Sequence, residues 1–335
     1  MLAVKLTGNR KLLLSEVEKP KVQDNTAIVR VTAAGICGTD INEIYLSTTG
    51  QKQTPGHEVV GVIEETGSGC NGFSAGERVL INCHITCGTC EHCKQGDLIF
   101  CPSLKAIGFD WDGGMAEYLV VPAGCLRHQP DDISDEEGVL LTDALATTYS
   151  ALKKTELAGT GGRLVVFGTG AIGVTAIFCA SRLGMHVTAV DVNKQRLENC
   201  LSLGAEHIVL GGSADTCGEL RAISNNKGFD AALQCSGSKQ ALADCIAVLK
   251  NRGALVNVGI INGVTIDLYN DITMRELRVI GSRNCNNNLL AEMIEFCRSN
   301  RDIKKLITHH FPLRDAAAAY ETAVRGEGLK ILIHP

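Results

Sequence analysis

A chain of 335 residues with 45% hydrophobic and 21% charged content is long enough for about two domains, and its composition is neither disordered nor membrane-embedded. The formal charge of -5 and the lack of any polybasic block exclude a nucleic-acid binder that works by neutralising phosphates, and no apolar run approaches spanning length. Fifteen cysteines in a chain able to build a core point to reduced thiols and metal rather than to a disulfide framework.

The opening segment carries Lys5, Arg10 and Lys11 among its apolar residues, which leaves no signal-peptide core and predicts a cytoplasmic protein. Residues 1 to about 150 hold short alternating stretches, such as 27–32 and 59–63, between Gly, Pro and Asn turns. They predict a small β-barrel. Gly35-Ile-Cys37-Gly-Thr39-Asp40 and Pro55-Gly-His57-Glu58 place a thiol and an imidazole in separate loops. Catalytic zinc is held in this manner, by three ligands from distant segments with one position open. Cys87-x-x-Cys90-x-x-Cys93 is followed, after seven residues, by Cys101, so four thiolates can close a tetrahedral shell locally. A closed shell leaves substrate no position, and the lobe reads as structural zinc.

Phe109 and Trp111, in a loop before a predicted barrel strand, either line a substrate cleft or pack the loop. Asp143, in Leu140-Leu-Thr-Asp143-Ala-Leu, offers a third ligand for the catalytic metal, and with Cys37 it would cancel the 2+ charge. Taken singly, Cys37 fits a small buried residue, His57 a turn histidine and Asp143 a helix cap. Cys83 and His84 read as packing residues, because the four downstream cysteines already complete a shell. Ten of the fifteen cysteines are left outside both zinc sites and without a role.

From about residue 160 the texture changes to apolar runs at 164–167, 187–190, 208–210, 231–233, 254–258 and 277–280, separated by helical stretches. Six strands with intervening helices predict a doubly wound parallel sheet. Gly168-Thr-Gly170-Ala171-Ile172-Gly173 follows the first strand and opens a helix. Gly168 permits a tight turn, Gly170 lets backbone approach a pyrophosphate, and Gly173 lets helix and strand pack, while free N–H groups at Ala171 and Ile172 attract the anion. Asp191 stands eighteen residues after Gly173, where a carboxylate accepts from both ribose hydroxyls and repels a 2′-phosphate. This favours NAD over NADP. Lys194 and Arg196 either soften that discrimination as cofactor contacts or are solvated charges. Helical patterns at 289–298 and 313–325 and a strand at 329–334 then return to the first lobe. The expected division is a zinc-binding catalytic domain over 1–150, a dinucleotide-binding domain over 151–280 and a return segment over 281–335.

Together, the Cys37 loop, Gly56-His57-Glu58, the four spaced cysteines and GTGAIG resemble the zinc-containing medium-chain dehydrogenases, the alcohol, sorbitol and threonine dehydrogenase superfamily, end to end and in motif order. The resemblance implies a GroES-like β-barrel domain with a Rossmann coenzyme domain, two zinc ions per chain and NAD. It makes Cys37, His57 and Asp143 the catalytic-zinc ligands, with Glu58 beside the metal as an alternate or outer ligand. Asp40 would orient His57, and Thr39 would pass the substrate proton outward through the cofactor ribose. Many relatives place a histidine three residues after Thr39 to finish that relay, and this chain has Asn42, which cannot act as an acid or base. The implied substrate is a secondary alcohol, a polyol or sugar derivative, with a threonine-type amino alcohol or simple alcohol as alternatives. The rival classes are a zinc-free reductase of the same fold and a non-catalytic zinc-binding interaction module. A homodimer or homotetramer is expected.

Overall fold

In the computed structural model, residues 1–284 and 287–335 are described, and they form two compact units. The first comprises Met1–Ala146 with the C-terminal stretch ending at Pro335, and the second begins at Thr147. Cys285, one of the ten cysteines given no role, lies outside the described residues.

The first unit is organised by a seven-stranded sheet. Along it run Ile307–Pro312, Lys330–His334, Thr26–Gly35, Glu58–Thr66, Arg78–Ile81 and Leu126–His128, and Tyr118–Pro122 pairs with Thr26–Gly35 off that path. Alternating apolar residues of these strands, including Val29, Val31, Val59, Ile63, Val79 and Ile333, point into one core. Register slips between Ile28 and Val29 and between Val31 and Ala33, the bulges that let a long strand bend around such a core. The C-terminal strand pairs antiparallel with Thr26–Gly35 through Leu332–Gly35 and Ile333–Ala34, so the last segment of the chain closes against one of the first.

The second unit is an all-parallel sheet in the order His207–Leu210, His186–Asp191, Arg163–Phe167, Phe229–Gln234, Leu249–Asn257 and Arg278–Gly281. Helices Ala171–Arg182, Lys194–Leu203, Thr216–Ile223 and Lys239–Val248 connect its strands. The central strands are apolar on both sides, as a sheet covered on both faces requires.

Two elements depart from the sequence reading. Strand Ile307–Pro312 was not anticipated, because only every second residue is partly covered and its sequence, ITHHFP, mixes histidines and threonine with two apolar residues. The helix expected from Leu313 begins at Ala316, since Leu313–Asp315 forms a separate 3₁₀ turn. No helix among the described residues is long and apolar enough to cross a membrane.

Candidate active site

Cys37, His57, Glu58 and Asp143 come together in the first unit, each buried, with one donor atom apiece all within 4.8 Å of one another. Local structure explains how. Strand Thr26–Gly35 ends just before Cys37, whose N–H donates to Asp40 Oδ2 at 3.0 Å, closing the loop against the helical turn Asp40–Tyr45. Gly56 adopts a φ of +99°, and a Cβ there would strike Met115, so the chain reaches His57 through a bend that favours glycine. Asp143 sits between two helices with φ -148° and ψ -67°, and the first, Asp135–Thr142, opens with a capping box of Ser134 and Glu137. It is a break between helices that turns the carboxylate toward the cluster.

Cys37 Sγ lies 3.5 Å from Asp143 Oδ2, and His57 Nε2 lies 3.8 Å from the same oxygen. Ligands held about 2.0 to 2.3 Å from one centre at tetrahedral corners are about 3.3 to 3.8 Å apart, so both separations from Asp143 fit a zinc shell. Asp40 Oδ1 lies 3.3 Å from His57 Nδ1, leaving Nε2 toward the cluster. Burial pushes the Cys37 thiol up, and the neighbouring Asp143 adds to the shift. Burial opposes a charged His57, but Asp40 and Asp143 outweigh it and raise its pKa well above 6.5. Asp143 itself, against the effect of burial, is held below the usual carboxylate range by His57. A buried set of this kind favours positive charge in its midst, which a divalent cation provides.

One partner escaped the sequence reading. Lys330, 2% exposed on the C-terminal strand, donates to both carboxylate oxygens of Glu58 at 2.6 and 2.7 Å and to Ile36 O at 3.3 Å. Glu58 thereby faces an ammonium as well as the donor cluster; burial pushes its carboxyl up to about 7 although Lys330 pulls it down, and against the effect of burial Glu58 raises the Lys330 pKa. A Cβ at Gly35 would collide with Glu58 Oε2, so this strand glycine makes room for the pair. The available signal was a lysine interrupting the apolar run Lys330-Ile-Leu-Ile.

Thr39 Oγ1 lies 3.7 Å from Cys37 Sγ, whereas Asn42 is exposed on the following helical turn. Phe109 packs on the His57 ring at 5.2 Å, while Trp111 donates from Nε1 to Val120 O at 2.9 Å within the barrel unit. Cys83 is buried, and the backbone oxygen of His84 accepts from the Cys125 thiol at 3.4 Å.

Cys87, Cys90, Cys93 and Cys101 form the second donor cluster. Their sulfurs are 3.4 Å (Cys90–Cys93), 3.6 Å (Cys87–Cys101) and 3.9 Å (Cys87–Cys93) apart, near the roughly 3.8 Å of a tetrahedral four-thiolate zinc. Hydrogen bonds from Thr89 and from the Cys90 N–H lower the Cys87 thiol to about 5. Among the described residues these are the two metal-competent clusters.

In the second unit Gly168 has φ +91°, and a Cβ at Gly173 would collide with Gly168 O, whereas Gly170 faces open space. Gly170 caps the helix Ala171–Arg182, whose first intrahelical bond runs from Val174 N to Gly170 O at 2.9 Å. The N–H groups of Ala171, Ile172 and Gly173 are thus unspent within the helix and suit an anion. Asp191 Oδ2 accepts from Thr169 N at 2.6 Å and Thr169 Oγ1 at 2.8 Å, and Oδ1 accepts from Asn193 N at 2.9 Å. Thr169 is fully buried and braces the carboxylate, a role the motif's glycines do not disclose. Arg196 lies in the first turn of the next helix, its N–H bonded to Asn193 Oδ1, and is not among the residues lining the cavity beside Asp191.

Residues 23–131 match the alcohol dehydrogenase GroES-like domain, and residues 171–299 match the zinc-binding dehydrogenase domain. An L-threonine 3-dehydrogenase of Chromobacterium violaceum is 30% identical, with 98% of each chain covered. Among solved structures, the alcohol dehydrogenase of Thermus sp. ATN1 superposes with a TM-score of 0.91 at 28% identity, covering 100% of this chain and 99% of that one. Galactitol-1-phosphate dehydrogenase of Escherichia coli does so at 0.89 and 25%, with both chains fully covered. With both domain types matched in order and relatives aligned over nearly its full length, the chain belongs to the zinc-containing medium-chain dehydrogenases, the family of the alcohol, polyol and threonine dehydrogenases.

Proposed function

We propose that the protein is an NAD-dependent, two-zinc oxidoreductase that moves a hydride between the nicotinamide and the carbinol carbon of a secondary alcohol, a polyol or sugar derivative. The observation that carries this reading is the buried thiol, imidazole and carboxylate set of Cys37, His57 and Asp143 at zinc-ligand spacing. Cys87, Cys90, Cys93 and Cys101 hold the second, structural ion. Bound zinc supplies Lewis acidity toward an alcohol oxygen, and NAD supplies the hydride acceptor.

The chain's own residues do the rest. Cys37 and Asp143 would balance the dication, and Asp40, with Oδ1 3.3 Å from His57 Nδ1, would orient the ring so that Nε2 is left to ligate. Thr39 takes the substrate proton outward, and with Asn42 exposed and unable to titrate, that proton leaves to water. Asn42→His is expected to add a limb near neutral pH to the kcat profile; superimposable profiles would put position 42 outside the proton path.

Gly170, Ala171, Ile172 and Gly173 cradle the pyrophosphate, and the braced Asp191 accepts from the ribose hydroxyls. In Asp191→Gly the ratio of kcat/KM for NAD over NADP is expected to fall by roughly 10- to 100-fold, as loss of bonds to a charged acceptor implies. An unchanged ratio removes Asp191 from cofactor selection.

The 30% identity to an L-threonine 3-dehydrogenase favours a second substrate reading, an amino alcohol. Both readings share a secondary carbinol, so an NAD-coupled screen of polyols, sugar phosphates and L-threonine separates them. It is run beside a metal count, which should give two zincs per chain. One zinc and no NADH binding would instead mark a non-catalytic zinc module. The thiolate-rich metal lobe works in a reducing compartment and supports a cytoplasmic location.

Assembly as a homodimer or homotetramer is supported by exposed Leu268, Tyr269 and Met274 and by Val279, 49% exposed on Arg278–Gly281, one of the two edge strands of the parallel sheet. Val279→Asp is expected to lower the mass seen by light scattering; an unaltered mass would move the interface elsewhere.

A further inference from the structure

The cavity beside Asp191 contains a second carboxylate that no step above employs. About 110 Å³ in volume, it is lined by Gly168, Asp191, Val192, Ser238, Gln240 and Asp244, among others, all within the parallel-sheet unit. Asp244 lies one turn after Gln240 on the helix Lys239–Val248 and is only 9% exposed. Its Oδ1 accepts from Gln240 Nε2 at 2.8 Å and from the Cys217 thiol at 3.5 Å. Both donors are neutral and both serve the same oxygen, and among the described residues no Lys or Arg pairs with this carboxylate. A buried carboxylate without a cation is costly to keep unless further N–H donors reach its remaining acceptor positions.

A dinucleotide held at Asp191 by its ribose would bring one such donor, the exocyclic amine of adenine, to the same cavity. We propose that Asp244 reads the base by accepting a hydrogen bond from that amine, which makes it a base-specificity residue of the cofactor site. The inference rests on the NAD reading given above. Gln240 then acts as a positioning residue, occupying Oδ1 so that the other oxygen is left for the base. Asp244 also adds a second negative charge to a cavity that Asp191 already makes unfavourable for a 2′-phosphate.

The test is a fluorescence titration of the whole protein with NADH and with its analogue carrying hydrogen in place of the adenine amine. The wild type is expected to bind the analogue roughly 10-fold or more weakly, the loss typical of a bond to a charged acceptor. In Asp244→Ala the two Kd values are expected to converge to within about threefold. Equal Kd values in the wild type overturn the inference without recourse to any variant, as does full selectivity retained in Asp244→Ala or, should that chain not fold, in Asp244→Ser. Tighter wild-type binding of NADPH than of NADH would instead overturn the NAD reading. The base comparison, repeated on the phosphorylated pair, would still decide the role of Asp244.

Discussion

Cys37→Ser is expected to reduce the proposed two zincs per chain to one, and to lower kcat/KM for the proposed NAD-coupled alcohol oxidation by three or more orders of magnitude. The metal count comes from mass spectrometry of the purified protein. A serine hydroxyl is a far weaker zinc ligand than a thiolate, and His57 and Asp143 would remain to hold the ion, with Glu58 within reach but bonded to Lys330. Lewis-acid assistance is worth several kcal/mol in the transition state, and about 4 kcal/mol already corresponds to roughly 10³ in rate. The remaining ion should resist exchange, because Cys87, Cys90, Cys93 and Cys101 close their own shell within one loop. Two zincs with full activity in Cys37→Ser would refute the assignment of Cys37. Loss of both would mean that the two clusters do not load independently.

Lys330→Met is expected to destabilise the first unit by about 3 to 5 kcal/mol, the usual cost of breaking a buried ion pair from one side. Both side chains are almost fully enclosed, and the change removes the ammonium that offsets the burial of Glu58, whose carboxyl is already pushed up to about 7 by that burial. The measurement is the denaturant midpoint of the metal-loaded protein. Adding Glu58→Gln to Lys330→Met is expected to recover part of the loss, because it removes the buried carboxyl that was left without its donor. An unshifted midpoint in Lys330→Met would mean that the Lys330–Glu58 pair contributes no net stability. The pair also bears on the metal. A carboxylate gripped by two short bonds from Nζ is restrained from moving among the proposed zinc donors, although its oxygen lies within their reach.

Much of the architecture is legible in the sequence, for a physical reason that differs between the two units. The parallel sheet announces itself through apolar runs such as Leu164–Phe167 and Val187–Val190, because strands covered on both faces need no polar alternation. Its glycine motif is equally local: turn, close approach and helix packing are all set within six residues. Strand Ile307–Pro312 was invisible because an edge strand buries only part of one face, and its partner Lys330–His334 lies some twenty residues further along. The helix boundary at Ala316 depends on a 3₁₀ turn that hydrophobic spacing does not register.

The sequence by itself determined the family, the two-domain fold class and the residue types available for metal and dinucleotide, because those follow from short-range patterns in which spacing encodes chemistry. Only the tertiary structure decided that Lys330, 272 residues from Glu58, is that carboxylate's counter-ion, that Thr169 braces Asp191, and that Asp244 shares the Asp191 cavity. A buried charge is tolerated only where the folded chain brings a partner to it, and the distance along the chain carries no trace of which partner that is.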